Sequence, residues 1–371
     1  MRYWLTLGLL VGFIWPLVGG CTQESADGPA YDVVSLTDEL NHPWAIAFLP
    51  DGRYLISERP GHLRIFANGR LQSEHVQGLP PIAAISQGGL LDLALHPDFA
   101  ENRWLYFTYA AAEGSGYTTR LARARFEHDR LHDLEVLFSA EPALPGGAHF
   151  GSRIVFAGEY VYVSIGDRGV RDLAQNKGDH VGTIVRLYHD GSVPEDNPFQ
   201  GVAGAKPEIY AYGVRNPQGM TLHPETGALW QHEHGPRGGD ELNLIEAGLN
   251  YGWPVISHGI EYSGGVIGDG IREAEGMESP WYYWTPAIAP SGMAFYTGES
   301  FPQWQGNLFI GSLVQRHLVR LTLDAEDKVI TEEAMLRDRG QRIRDVRVHD
   351  GLVYLLTDHN PGELLRLQPV R

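Results

Sequence analysis

Cysteine is almost absent: Cys21 is the only one in 371 residues, so no intramolecular disulfide can form and the domain beyond it has no thiol chemistry. Basic residues are scarce as well, 29 Lys and Arg against 46 Asp and Glu, giving a formal net charge of -17. Nucleic acid and anionic membrane surfaces both need a basic patch, so the balance argues against either as a partner and suits a neutral substrate. The apolar stretch Tyr3 to Val18 falls short of the roughly 20 residues that span a bilayer. No long segment carries a 3.6-residue apolar period, and no Gly-x-Gly-x-x-Gly unit joins a strand to a helix to hold a dinucleotide.

What is present at the start is a leader. Met1 to Gly20 combines Arg2, the apolar stretch and small residues before Cys21, the parts of a secretory signal. Leu17, Val18, Gly19, Gly20 and Cys21 resemble a bacterial lipobox, which implies cleavage before Cys21, lipidation of that residue and a periplasmic protein. Thr22 is not the aspartate linked to inner-membrane retention, so the expected anchor is the outer membrane. Residues 21–30 read as the lipidated cysteine and a short flexible tether, and residues 31–371 as one domain. With 43% hydrophobic residues, that domain can bury a large core.

Along the domain one pattern recurs: an apolar strand, a turn with Asp-Gly or Pro, a second apolar strand, then a strand with an arginine among apolar residues. The copies begin at Trp44, Leu91, Ile154, Gly219, Gly292 and Val346. Their third strands hold Arg64, Arg123 with Arg125, Arg186, Arg320 and Arg366, and only the fourth copy, Glu241 to Ile245, lacks the arginine. Short apolar runs bounded by Gly, Pro and Asp are strand signals, and repeated strand clusters of this size indicate stacked sheets in a propeller. The expected fold is all-β, a six-bladed β-propeller.

Glycine-rich polar segments interrupt the apolar runs, and in a propeller such loops gather over the axis. They are Ser86 to Gly89, Gly147 to Ser152, Gly166 to Gly169, Gly213 to Gly219, His232 to Asn243, Tyr251 to Pro254 with Glu261 and Tyr262, and Arg339 to Asp345. The order of these segments along a six-repeat β chain resembles the soluble aldose sugar dehydrogenase family, related to soluble quinoprotein glucose dehydrogenase, from about residue 40 to the C-terminus. The resemblance implies pyrroloquinoline quinone held over the axis, calcium touching it, and a histidine base.

By that resemblance His149 is the base and Asp167 orients it. The quinone carboxylates fall to Gln87, Arg215, Asn216, Tyr262, Arg342 and Arg344. The carbonyls of Gly235 and Pro236 face the calcium beside the cofactor, while Glu241 and the Tyr251 carbonyl serve a structural calcium. The assignment is chemically coherent: a neutral imidazole accepts a hydroxyl proton near operating pH, arginine clamps carboxylates, and calcium takes oxygen ligands. One departure stands out, since Val314 occupies the place of a family lysine, leaving Gln315 or Arg316 as substitutes. The His232 and His234 pair invites a zinc reading, but no third ligand is evident nearby.

The expected activity is oxidation of an aldose at C1 to a lactone, with electrons leaving to an unidentified acceptor. A calcium-dependent lactonase-type hydrolase and a non-catalytic carbohydrate- or protein-binding propeller are the competing readings.

Overall fold

The structure is a computed structural model that describes residues 30–370; the leader, Cys21 and most of the tether lie outside the described residues. The chain opens with strand β1 (Tyr31–Leu40), set aside until the end. The first sheet runs in chain order through β2 (Pro43–Phe48), β3 (Tyr54–Glu58), β4 (His62–Ala67) and β5 (Arg70–Leu71). The second is β6 (Leu90–Leu95), β7 (Trp104–Glu113), β8 (Gly116–Glu127) and β9 (Arg130–Ser139). The third is β10 (Ile154–Ala157), β11 (Tyr160–Ile165), β12 (Thr183–Tyr188) and β13 (Ile209–Tyr212). The fourth is β14 (Pro217–Leu222), β15 (Leu229–Glu233), β16 (Asp240–Ile245) and β17 (Tyr282–Trp284). The fifth is β18 (Pro290–Phe295), β19 (Leu308–Ser312), β20 (Leu318–Leu323) and β21 (Val329–Met335).

The last sheet breaks the rule. It contains β22 (Ile343–His349), β23 (Leu352–Thr357) and β24 (Gly362–Pro369), and its fourth strand is β1, which pairs antiparallel with β24 from Tyr31↔Pro369 to Leu40↔Gly362. The first strands of the six sheets contact one another in sequence, β2 to β6 to β10 to β14 to β18 to β22 and back to β2. This ring is the six-bladed propeller expected from the repeats.

Each strand alternates its side chains between two faces, and both faces of a blade are covered by neighbouring blades. Six apolar clusters fill the six interfaces, for example Leu93, Phe107 and Leu63 between the first two blades and Ile46, Leu356 and Leu364 across the closure. At roughly 1.5–3 kcal/mol per buried large apolar side chain, these interfaces dominate the favourable energy. The third-strand arginines of the repeat have a structural use. Arg123 donates to Glu135 directly opposite on β9 at 2.8 Å, and Arg320 donates to Glu333 opposite on β21 at 2.9 Å, so each braces a half-exposed outer strand.

Charge also ties the ring at its centre. The buried Arg153 guanidinium bridges Asp92 at 2.9 Å and Asp345 at 3.0 Å, and Arg347 reaches the same two carboxylates at 2.7 and 2.9 Å. Three blades are thereby joined near the axis. Gly292 is required there, because a Cβ would stand 2.3 Å from Asp345 Oδ1.

Candidate active site

Loops that link second to third strands, and outer strands to the next inner strand, emerge on one face of the ring. They carry most of the polar segments noted in the sequence; Tyr251 to Pro254, Glu261 and Tyr262 come instead from the long connection between β16 and β17. Gly147 to Ser152 joins β9 to β10, and its conformation is specific: His149 has φ 53° and Gly151 φ 64°. A non-glycine residue in the left-handed region is uncommon and costs about 1–3 kcal/mol unless its surroundings impose it. Here they do. The His149 N–H donates to Gln87 Oε1 at 2.8 Å, and the Arg168 guanidinium, lying over the Phe150 ring, donates to the carbonyls of Ala148 and Gly146. Gly166 must lack a side chain, since a Cβ would stand 2.2 Å from the His149 carbonyl oxygen.

The His149 imidazole is fixed by Asp167. Nδ1 lies 2.6 Å from Asp167 Oδ1, which also accepts the Gly169 N–H at 2.8 Å, while Oδ2 accepts the Trp253 indole N–H at 2.8 Å. Asp167 is 1% exposed. Burial works to raise its carboxyl, but the hydrogen bond and charge of His149, with the Gly169 amide and Arg215, outweigh it and hold the group below its ordinary value. With Nδ1 committed to a carboxylate, Nε2 is the lone-pair nitrogen, and it has no hydrogen-bond partner among the described residues.

Over the axis lies a cavity of about 250 Å³ lined by Trp44, Arg59, Gln87, Asn216, Arg342 and Arg344, among others; Phe150 and Gly151 bring the His149 loop to it, while His149, Asp167 and Arg215 themselves stand outside its lining. Arg342 and Arg344 converge on Asp358 Oδ2, each at 3.0 Å. Burial pushes the Asp358 carboxyl up, yet Arg344 and Arg342 together bring it well below the usual carboxylate range. Two guanidiniums against one carboxylate leave a positive excess. Arg344 Nη1 also donates to Gln218 Oε1 at 3.1 Å, and its Nε is buried without a partner among the described residues.

Arg215 lies on the connection from β13 to β14. Its Nη1 donates to the carbonyls of His234 and Gly235 at 2.9 and 3.0 Å, and its Nε is likewise buried without a partner among the described residues. Asn216 Oδ1 accepts the Gly151 N–H at 3.3 Å, so the loops of His149 and Arg215 are joined. Tyr262 stands elsewhere: it is 71% exposed and lines a second, wider cleft of about 810 Å³ with Gly235, Pro236 and Thr285. The two hollows share His234, Ala289 and Val314.

Gly235 and Pro236 are held by Asp240, whose Oδ1 accepts the Gly235 N–H at 2.8 Å and whose Oδ2 accepts the N–H groups of Ile288 and Ala289 at 2.7 Å. Glu241 sits opposite Glu233 across the β15–β16 ladder, and both are buried. Burial, then Glu233's proximity to Glu241, raises the Glu233 carboxyl well above the ordinary range, and burial pushes Glu241 up to about 8. Tyr251 packs between the third and fourth blades, its hydroxyl donating to the Leu244 carbonyl at 2.5 Å. His232 and His234 do not meet a third ligand among the described residues; His234 Nε2 faces the Pro290 carbonyl at 2.6 Å.

Arg59 and Asp358 carry no sequence signal for the site, Asp358 sitting in the turn-rich run Thr357 to Gly362. Gln218 and Trp253 lie within the Gly213 to Gly219 and Tyr251 to Pro254 segments without being marked individually, and Trp44 is marked only as the start of the first repeat. Val314, in place of the family lysine, is 58% exposed at the edge of both hollows. Neither Gln315 nor Arg316 lines the cavity, whereas Arg59 does.

The residues present fit the implied groups. Buried guanidinium N–H groups without partners, amide side chains and flat aromatic walls suit a planar polycarboxylate. Two adjacent buried carboxylates, Glu233 and Glu241, suit calcium.

Comparison with known proteins identifies the family. The family described as Glucose / Sorbosone dehydrogenase matches residues 40–366. The aldose sugar dehydrogenase YliI of Escherichia coli (strain K12) is 43% identical over 364 residues, covering 96% of this chain and 98% of that one. The crystal structure of the soluble aldose sugar dehydrogenase from Escherichia coli in the apo-form superimposes with a TM-score of 0.89, covering 92% of this chain and 100% of that one. The PQQ-bound form of aldose sugar dehydrogenase from Streptomyces coelicolor, 26% identical, covers 92% of this chain and 99% of its own at a TM-score of 0.73. The chain described here belongs to the glucose/sorbosone dehydrogenase family and is an oxidoreductase.

Proposed function

We propose that this protein oxidises aldose sugars at C1 to lactones, using pyrroloquinoline quinone and calcium, with His149 as general base. The observation that carries the reading is the buried Asp167 carboxylate 2.6 Å from His149 Nδ1, on a loop whose next residues, Phe150 and Gly151, line an arginine-rich cavity. Pyrroloquinoline quinone, when bound, supplies the two-electron acceptor that no side chain provides. Its carboxylates would be held by Arg215, Arg342, Arg344, Asn216 and Gln87, with Tyr262 contributing from the wider cleft. Calcium would take the carbonyls of Gly235 and Pro236 near the cofactor, and Glu241 with the Tyr251 carbonyl at a structural site.

In the reaction, His149 Nε2 takes the proton of the anomeric hydroxyl. The oxygen lone pair so released forms the C1=O bond as the hydrogen on C1 departs with its electron pair. Asp167 holds the imidazole in the tautomer that can accept and stabilises the imidazolium that forms. Arg215 would stabilise negative charge developing in the cavity. The leader and Cys21 support export and lipid anchoring at the periplasmic side of the outer membrane, with electrons passing to an acceptor there.

The test is a titration of the purified protein with pyrroloquinoline quinone in calcium, followed by dye reduction on adding glucose. Saturable binding and sugar-dependent dye reduction are expected, with reduction lost in folded His149→Ala. Full activity in that variant would refute the assigned base.

A further inference from the structure

The mouth of the β3–β4 hairpin carries three metal-ligating side chains that take no part in the sugar site. Glu58 ends β3, His62 begins β4, and the two face each other in register, joined by a turn in which Gly61 has φ 107°. His75 arrives from the connection after β5. Its segment is pinned on both sides, the Val76 N–H donating to the Leu63 carbonyl at 2.9 Å and the Gln77 carbonyl accepting the Leu131 N–H at 2.8 Å. One ligand atom from each of Glu58, His62 and His75 lies within 4.8 Å of the others. His62 Nδ1 is 3.3 Å from Glu58 Oε2, and the two imidazole rings are 4.4 Å apart with a 30° tilt.

The carboxylate is oriented for this. Glu58 is 1% exposed, and its Oε1 accepts the Asn41 N–H at 2.8 Å and Arg64 Nη1 at 3.1 Å, which turns Oε2 toward the imidazoles. Hydrogen bonds of this kind to a ligating carboxylate fix its direction and strengthen metal binding. The rings open onto a surface cleft of about 330 Å³ bounded by His62, His75, Gln77 and Pro80, with room for water.

We propose that Glu58, His62 and His75 form a binding site for a zinc-like transition-metal dication, separate from the calcium and cofactor positions. Two imidazole nitrogens and one carboxylate oxygen, with water in a fourth place, are a donor set that zinc takes and calcium does not. Zinc–ligand bonds of about 2.0–2.1 Å put ligand atoms roughly 3.3 Å apart. Rotation of His62, 41% exposed, supplies the closure from the present spacing. The site does not depend on the sugar chemistry, although the same turn carries Arg59 into the cavity.

The experiment uses the purified protein, treated with chelator and returned to calcium-containing buffer so that oxygen-donor sites are filled. It is titrated with zinc by calorimetry and with cobalt(II) by visible absorption. One zinc per chain is expected, with an intense four-coordinate cobalt spectrum that zinc displaces. His62→Ala and His75→Ala should each weaken zinc binding by at least about 100-fold with unchanged circular dichroism. Absence of zinc binding to the wild type, or wild-type affinity in the variants, overturns the proposal. Should His75→Ala fail to fold, the half-exposed His62→Ala decides.

Discussion

Asp167→Asn tests the coupling at the heart of the proposed reaction. The carboxylate accepts three hydrogen bonds, from His149 Nδ1, the Gly169 N–H and the Trp253 indole. An asparagine amide has one acceptor oxygen and one donor NH2, so it cannot satisfy all three. With its oxygen in the Oδ1 position, the amide NH2 meets the indole N–H, and a buried donor goes unpaired at a cost of about 1–3 kcal/mol. With its oxygen in the Oδ2 position, the NH2 donates to His149 Nδ1, placing the imidazole proton on Nε2, where it blocks proton abstraction. Loss of a positioned general base lowers the rate by about 10²–10⁴-fold, and the geometry makes kcat the quantity affected. The assay is dye reduction at saturating pyrroloquinoline quinone and calcium across a range of glucose. A kcat within about threefold of wild type, in a protein with native circular dichroism, would refute the role of Asp167.

Asp358→Asn should destabilise the protein by about 3 kcal/mol near neutrality, because it takes the countercharge from the buried Arg344 guanidinium and from the partly exposed Arg342. The folded carboxyl lies below its unfolded value, so its contribution is present above about pH 4 and lost as the pH falls through the folded value; melting temperatures of both proteins from pH 7 downward should converge. Glu241→Gln should reduce the rise in melting temperature that calcium produces in the chelator-treated wild type by the share of the structural site, about 2.7 kcal/mol at a calcium concentration 100 times that site's Kd. An unchanged calcium response would remove Glu241 from the ligand set.

The blades were legible because inner strands are buried on both faces. Leu91 to Leu95, Tyr160 to Val163 and Val353 to Leu356 are short apolar runs that no other secondary structure accommodates, and each became a strand. The outer strands were not legible. In β9 and β21 the sequence reads RLHDLEVLFS and VITEEAM, mostly exposed, so apolar patterning does not mark them, and each is paired by its backbone ladder with one arginine of the preceding strand reaching across. β1 passed unnoticed for a related reason, since its pattern is half-buried and its partner lies at the other end of the chain. In the site, His149 and Arg215 were found through a resemblance to motif order, not through spacing. Asp358 and Trp253 escaped because they act on other side chains, and only their contacts reveal it.

The closure of the last blade by β1 sets an order of events during synthesis. Among the described residues the first strand must find the last, so the strand pairing that seals the ring has the longest sequence separation there and belongs among the late, slow steps. Until β24 is complete, β1 is an unpaired edge exposed to other chains. Asp32, Asp38 and Glu39 along it are the kind of charges that discourage such pairing, so the acidic character of this strand protects the unfinished ring from aggregation while it waits for its own C-terminus.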